Sequence, residues 1–221
     1  MVGYTNAGKS TLMNTLTKAE VFVADQLFAT LDPTTRRIQM PSGKEALLTD
    51  TVGFIQKLPT TLVPAFRATL EEITESDIIV HVVDSAHPHA MQHIETVEDT
   101  LAEIDTPRLP TILALNKIDL WDSAEDGARF ADLPYDYVVP ISARKGTGID
   151  ELLLTIEAAL RQSMVVINMT LPYRFGDLIS ALHSQGIVES EKHTAQGVEI
   201  RGYAPPALAE LIESRRKDNT P

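Results

Sequence analysis

The chain has 221 residues, 43% hydrophobic and 23% charged, which is typical of a globular protein, and its lack of cysteine excludes disulfides and thiolate metal sites. The net charge is −12, with 13 basic against 24 acidic residues in 1–163 and 6 against 7 in 164–221. So acidic a chain is a poor general binder of nucleic acid, and no apolar run approaches the roughly 18 residues of a membrane-spanning helix, so we expect neither DNA binding nor a membrane span.

In residues 1–163, short apolar segments alternate with longer amphipathic ones. This alternation is typical of an α/β fold in which helices cover both faces of a largely parallel sheet. The patterns predict strands at 37–40, 46–49, 78–83, 111–115 and 138–141, and helices at 9–17, 64–73, 91–104 and 150–163.

The pattern changes after residue 163. Strands are predicted at 165–169, 188–192 and 197–202, and helices at 175–183 and 205–216. This βαββα order predicts a small C-terminal α+β domain at 164–221, separate from a domain at 1–163.

A phosphate-binding loop is predicted at residues 3–10, Gly-Tyr-Thr-Asn-Ala-Gly-Lys-Ser, which fit the pattern G-x-x-x-x-G-K-[ST]. The glycines allow a tight turn in which successive N–H groups point at phosphate oxygens. The helix that follows adds the positive end of its dipole. Lys9 would reach the β- and γ-phosphates, and the Ser10 hydroxyl would bind Mg²⁺. The first domain is therefore expected to be a nucleotide-binding domain with the three-layer αβα fold.

Only Met1 and Val2 precede this loop, although a strand of about five residues is expected before it. We therefore expect the chain to be a fragment of a longer protein, or an incomplete gene model. Loss of that strand would leave the phosphate loop poorly anchored.

The nucleotide base is read at another segment, Asn116-Lys117-Ile118-Asp119, which directly follows the predicted strand 111–115. A carboxylate accepts hydrogen bonds from N1–H and N2–H₂ of guanine, and adenine offers no such pair of donors. Asp119 is therefore predicted to select guanine. Here the chain resembles the translation-factor-like GTPases, in which Asn116 would hold the loop and the base, and the stem of Lys117 would cover the ring.

Two more segments resemble elements of those GTPases. The first is Asp50-Thr51-Val52-Gly53, where Asp50 would hold Mg²⁺ through water and the N–H of Gly53 would sense the γ-phosphate. The second is Ser142-Ala143-Arg144, where the backbone N–H of Ala143 would meet guanine O6.

The first switch is predicted at residues 27–36, between the phosphate loop and the predicted strand at 37–40. Thr30 matches the second threonine of the Phe-Thr-Thr pattern in Obg-type relatives, so we expect it to bind Mg²⁺ in the triphosphate state. Thr34 and Thr35 are the alternatives.

Phe54 stands where Ras-like enzymes place a water-orienting glutamine. A phenyl ring can neither donate nor accept a hydrogen bond, so intrinsic GTP hydrolysis is expected to be slow. Either a partner supplies the missing group, or a monovalent cation does. Asn6 resembles the K⁺-coordinating asparagine of potassium-stimulated GTPases, although it is equally well explained as a turn residue.

Three segments together closely resemble the HflX family: residues 3–12, residues 28–36 (Phe-Ala-Thr-Leu-Asp-Pro-Thr-Thr-Arg) and residues 50–55 (Asp-Thr-Val-Gly-Phe-Ile). Asp84-Ser85-Ala86 after the strand 78–83 and the short C-terminal domain are also similar. The resemblance implies a cytoplasmic guanine-nucleotide switch that associates with the large (50S) ribosomal subunit and splits or rescues stalled ribosomes under stress. The resemblance also implies an N-terminal domain before the phosphate loop, which we expect to be absent from this chain.

The predicted site residues fall into three groups. The catalytic residues are Lys9, Thr30 and Gly53, and the Mg²⁺ ligands are Ser10, Thr30 and Asp50. The nucleotide-binding residues are Gly3, Tyr4, Thr5, Asn6, Ala7, Gly8, Lys9, Ser10, Thr11, Asp50, Thr51, Val52, Gly53, Asn116, Lys117, Asp119, Ser142, Ala143 and Arg144.

Two other functions are kept open. The first is an ATP-using enzyme on the same phosphate loop, and the second is a truncated interaction fragment that binds no nucleotide. The histidines at positions 81, 87, 89 and 93 are expected to lie in a solvated segment rather than to bind Zn²⁺, because their spacing lacks a fixed partner set.

Overall fold

A computed structural model describes residues 1–17, 34–51, 53–54, 73–102, 109–123 and 125–217. The chain divides into two compact units, Met1–Ala158 and Ala159–Pro221. The division falls inside a helix, whereas the predicted boundary at residue 163 lies just after the end of that helix. The predicted helix at 64–73 lies almost wholly outside the described residues.

The first unit contains strands and helices in alternation. In chain order they are α1 (Lys9–Thr17), β1 (Thr34–Gln39), β2 (Glu45–Asp50), β3 (Ile79–Asp84), α2 (Ala90–Ala102), β4 (Thr111–Asn116), α3 (Glu125–Ala128), β5 (Tyr137–Pro140) and α4 (Ile149–Gln162). A 3₁₀ turn, Ile118–Leu120, follows β4. The predicted strands lie within a few residues of the observed ones.

The strands form two sheets. β1 and β2 pair as an antiparallel hairpin, while β3, β4 and β5 form a parallel sheet in that order. β3 and β4 are buried along nearly their whole length, which is typical of a parallel sheet covered on both faces. Ile94 of α2 packs in one apolar cluster with Val83 and Leu113 of these strands. The α/β class predicted from the sequence is confirmed.

Met1 and Val2 connect the two sheets. The N–H of Val2 donates to Val80 O and its carbonyl accepts from the N–H of Val82, each at 2.9 Å, so Val2 runs parallel to β3. On the other side the Met1 amino group donates to Thr49 O at 2.7 Å, and Thr51 Oγ1 donates to Met1 O at 2.7 Å. These two residues therefore hold the start of the phosphate loop between β2 and β3.

The second unit is a small α+β fold. Its elements are β6 (Val165–Leu171), a 3₁₀ turn (Tyr173–Phe175), α5 (Gly176–Gln185), β7 (Ile187–Thr194), β8 (Gly197–Ala204) and α6 (Pro206–Lys217). β8 lies between β6 and β7, and both pairings are antiparallel. Apolar residues of the sheet and of both helices share one buried cluster, which includes Leu171, Leu182 and Ile212. Among the helices of the described ranges, none combines the length and the apolar character needed to cross a membrane.

His81 is buried in the middle of β3, 1% exposed, so the expectation that it lies in a solvated segment is wrong. Its Nδ1 lies 3.0 Å from the hydroxyl of Tyr135, and its Nε2 has no hydrogen-bond partner among the described residues. Burial lowers the pKa of His81 to about 3, and the nearby positive charge of Lys9 adds to the shift. The imidazole is therefore neutral in the folded protein at physiological pH.

This burial predicts an acid-sensitive fold. A base whose pKa is lower in the folded state than in the unfolded state contributes stability above its unfolded pKa, and that stability is lost as the pH falls below about 6.5. We expect the free energy of unfolding to drop by about 2 kcal/mol between neutral pH and pH 5 on account of His81. Urea unfolding at several pH values measures this drop.

The variant His81→Leu removes the titrating group, so its stability should depend less steeply on pH than that of the wild type. His89→Gln is the matched control, because His89 is exposed. Equal pH dependence in the wild type and His81→Leu would contradict the assignment.

Candidate functional site

The phosphate loop takes a conformation that few side chains allow. Gly3, Asn6 and Gly8 have φ values of 154°, 60° and 98°. A Cβ on Gly3 would collide with Val82 O in β3, and a Cβ on Gly8 would collide with Nδ2 of Asn116. The two glycines of the motif are therefore needed for close approach as well as for backbone freedom.

Lys9, the first residue of α1, lies inside the loop. It is 7% exposed, and its Nζ donates to Gly3 O at 3.0 Å and to Tyr4 O at 3.4 Å. Burial lowers the pKa of Lys9 to about 8, and the carboxylate of Asp50 opposes the shift. The loop thus encloses a poorly solvated ammonium group, which an anion would stabilise.

Ser10 and Asp50 come together although forty positions separate them. Ser10 Oγ donates to Asp50 Oδ2 at 2.7 Å, and Asp50 is 4% exposed at the end of β2. A hydroxyl oxygen beside a carboxylate oxygen is a donor set that suits Mg²⁺, which prefers hard oxygen ligands. The pair therefore fits the ion expected at this position. Among the described residues no group of three or more histidine or acidic side chains is arranged to hold a metal.

The segment after β2 is in contact with the phosphate loop. The N–H of Thr5 donates to Phe54 O at 3.0 Å, and the N–H of Phe54 donates to Gly3 O at 3.1 Å. A Cβ on Gly53 would lie 2.8 Å from Thr5 Cα, so only glycine fits there. The Phe54 side chain is 1% exposed and packs with Val2 in an apolar cluster. It contributes to the core and cannot orient a water molecule.

Asn116 links three segments of the site. Its Nδ2 donates to Ala7 O in the phosphate loop at 2.8 Å, and its Oδ1 accepts from the N–H of Ala143 at 2.9 Å. The carbonyl of Ala143 accepts from Thr15 Oγ1 of α1 at 2.7 Å. The phosphate loop and the segments after β4 and β5 are thereby joined by buried hydrogen bonds.

The other base-reading candidates lie at the rim of this network. Asp119 is exposed, and its Oδ1 accepts a hydrogen bond from Ser142 Oγ at 2.6 Å. Lys117 has a left-handed φ of 68°, and its Nζ lies 2.7 Å from Asp84 Oδ2. Arg144 is exposed next to Ala143.

The other predicted residues lie beside the site or outside the described residues. Thr30 and Val52 lie outside the described residues. Thr34 and Thr35, the alternative switch ligands, belong to β1, where Thr34 is the register partner of Asp50 and Thr35 Oγ1 lies 2.8 Å from Thr49 Oγ1. Thr11 lies on α1, half-buried.

Sequence reasoning missed the neighbours of the phosphate loop on α2. The ring of Tyr4 stacks on His93 with centroids 3.9 Å apart and an angle of 4° between the planes. His87 lies 4.5 Å from His93, centroid to centroid. Burial lowers the pKa of His93, and the charges of His87 and His89 add to the shift while that of Asp84 opposes it. The spacing of the histidines hinted at a cluster but gave no sign of its aromatic partner.

Comparison with known proteins identifies the chain. A family model described as "50S ribosome-binding GTPase" matches residues 1–117. The curated GTPase HflX of Lacrimispora saccharolytica is 43% identical over 208 residues, which cover 94% of this chain and 48% of that protein. The chain belongs to the HflX family of GTPases.

This membership confirms the family resemblance carried by the three segments of the sequence. The chain spans about half the length of the curated HflX relatives it matches. What the whole proteins do is therefore carried over to this chain only as a proposal.

Solved structures agree on the fold. A GTP-binding protein from the archaeon Sulfolobus solfataricus, crystallised with GDP, has a TM-score of 0.58 and 33% identity, and the match covers 73% of this chain and 51% of that one. Era, crystallised with MgGDPNP and a segment of 16S ribosomal RNA, has a TM-score of 0.62 and covers 89% of this chain and 72% of that one. At 22% identity, the match to Era supports the fold alone.

The packing of Gly8 against Asn116 predicts a sharp difference between two glycines. Gly8→Ala places a Cβ on the Asn116 amide in a strained backbone and should cost about 3 kcal/mol or more of unfolding free energy. Gly43→Ala is the matched control, since Gly43 also has a positive φ, 83°, but a Cβ there meets nothing within 4 Å. Gly43→Ala should lower the free energy of unfolding by about 1 kcal/mol. Urea unfolding of both variants without nucleotide measures the difference, and equal costs would contradict the close contact.

Proposed function

We propose that this chain binds GDP and GTP with Mg²⁺ and hydrolyses GTP, working as a guanine-nucleotide switch. The observation that carries the proposal is the Asn116 amide, which ties the phosphate loop at Ala7 to the base-reading segment at Ala143. A nucleotide has a phosphate end and a base end, and here the groups suited to each end share one buried network. Membership in the HflX family supports the same activity.

Each residue has a distinct role in this proposal. The N–H groups of the phosphate loop and the Lys9 ammonium hold the β- and γ-phosphates. Ser10 and Asp50 would hold Mg²⁺, with Thr30 joining in the triphosphate state. When bound, the ion neutralises charge that develops on the phosphates. The N–H of Gly53 senses the γ-phosphate, and Asp119 accepts hydrogen bonds from guanine.

We expect hydrolysis to be slow, because Phe54 is turned into the core and offers no polar group to the attacking water. Hydrolysis could be accelerated by a group from a partner protein. It could also be accelerated by K⁺ held with the aid of Asn6, which is exposed in the phosphate loop with a left-handed φ of 60°. Turnover measured in KCl and in NaCl separates the two sources, since only the second depends on the cation.

The base assignment predicts a change of specificity in Asp119→Asn. The carboxylate accepts from the guanine N2–H₂, whereas an asparagine amide can donate to the C2 carbonyl that xanthine carries in its place. We expect Asp119→Asn to weaken GDP binding at least about a hundredfold and to favour XDP over GDP. Competition of GDP, XDP and ADP against a fluorescent GDP measures the preference.

The matched control is Asp122→Asn, which makes the same change at an exposed aspartate three positions along the chain and should leave the preference for GDP intact. Equal affinity of the wild type for GDP and ADP would favour the ATP-using alternative. No GDP binding at all, with no rise in melting temperature at saturating GDP and Mg²⁺, would favour the interaction fragment.

We also propose that the chain takes part in binding the large ribosomal subunit, which would place it in the cytoplasm. The description of the matching family model supports this. Because the chain is acidic, with a net charge of −12, we expect contact through local surfaces rather than through general attraction to RNA. Co-sedimentation of the chain with purified 50S subunits tests this proposal, once in the presence of a non-hydrolysable GTP analogue and once in the presence of GDP. We expect more pelleting with the analogue, and no pelleting in either state would contradict it.

A further inference from the structure

Asp84 ends β3 and Ser85 follows it, beside the start of the base-reading segment. In the parallel pairing of β3 with β4, Asp84 is the register partner of Asn116. The loops that leave the two strands therefore begin side by side, at the same edge of the sheet. None of the roles derived so far uses either residue.

Ser85 fixes the relative position of the two loops. It is fully buried, its N–H donates to Asn116 O at 2.9 Å, and its Oγ donates to the same oxygen at 2.6 Å. The Oγ in turn accepts from Trp121 Nε1 at 2.9 Å, and the Arg129 guanidinium donates to the Ser85 carbonyl. Residue 84 is thus held at a defined distance from residue 117.

From this fixed position, the Asp84 carboxylate forms an ion pair with the Lys117 ammonium group. The distance from Nζ to Oδ2 is 2.7 Å, and the two side chains are 33% and 18% exposed, so the pair is partly desolvated. The other carboxylate oxygen, Oδ1, accepts from the N–H of Ala86 at 3.2 Å, which restrains the carboxylate itself. With a left-handed φ of 68°, Lys117 reaches Asp84 at the end of β3 with its side chain.

We infer that Asp84 is a positioning residue for base binding, acting through Lys117. A lysine stem has four rotatable bonds and loses much rotamer freedom when it lies flat on a purine. By holding the ammonium group before the nucleotide arrives, Asp84 removes part of that entropic cost and keeps the stem extended over the base position. The inference rests on the proposed binding of guanine nucleotide at this site.

Two single variants and two ligands give the first test of the inference. Asp84→Asn keeps the shape but removes the charge, and we expect it to raise the Kd of GDP about tenfold. The inhibition constant of inorganic pyrophosphate, which lacks a base, should stay unchanged when pyrophosphate competes against fluorescent GDP. Asp132→Asn is the matched control, because Asp132 is exposed in the same unit and its change should leave both constants within about twofold.

The decisive measurement is a double-mutant cycle with Lys117→Met. If Asp84 acts through Lys117, Asp84→Asn should change the Kd of GDP less than about twofold in the Lys117→Met background. Asp84→Glu, which retains the negative charge, should recover part of the affinity lost in Asp84→Asn. If Asp84→Asn does not fold, Asp84→Glu and its cycle with Lys117→Met carry the same comparison.

The outcomes separate this inference from the proposed function. Weaker binding of both GDP and pyrophosphate in Asp84→Asn would mean a general structural role and would overturn the inference. So would additive effects in the cycle, or wild-type affinity in Asp84→Asn. Failure of the wild type to bind GDP would instead overturn the proposed function itself.

Discussion

The site depends on one buried amide. Asn116 is 2% exposed; its Nδ2 donates a hydrogen bond to Ala7 O, and its Oδ1 accepts one from the N–H of Ala143. An aspartate could accept but not donate there, and an apolar residue could do neither, which would leave buried backbone groups unpaired. The same amide occupies the space where a Cβ of residue 8 would lie, so the second glycine of the phosphate motif is required by the asparagine of the base-reading motif.

Hydrogen bonds hold the phosphate loop from both sides. The backbone of Val2 pairs with β3, the Met1 amino group donates to Thr49 O of β2, and Thr51 Oγ1 donates to Met1 O. The backbone of residues 3 and 5 exchanges hydrogen bonds with that of Phe54. Most of these hydrogen bonds are made by backbone groups, which do not depend on side-chain identity. The expectation that the loop is poorly anchored without a longer preceding strand stays a prediction.

What could be predicted from the sequence was what is local in the chain. The phosphate motif and the strand ends each follow from a few consecutive residues, and the α/β class follows from the alternation of apolar runs. Contacts between distant segments could not be read in this way. Asp84 meets Lys117 because β3 and β4 end at the same edge of the sheet, and His81, in the middle of β3, meets Tyr135, which precedes β5. The one-dimensional pattern does not specify which polar groups then face each other.

The proposed binding of phosphate by so acidic a chain is explained by the short range over which surface charges act. Residues 1–163 carry a net charge of −11, yet charges spread over a surface are screened within about 8 Å at physiological salt. Within the loop, by contrast, the Lys9 ammonium is buried, and burial has already lowered its pKa to about 8. A phosphate placed there would form an ion pair with this ammonium group, whose hydrogen bonds among the described residues go to backbone carbonyls, in a region from which water is largely excluded. The attraction between the buried Lys9 ammonium and a phosphate therefore outweighs the repulsion from the net negative charge. The acidic surface acts instead against non-specific contact with RNA.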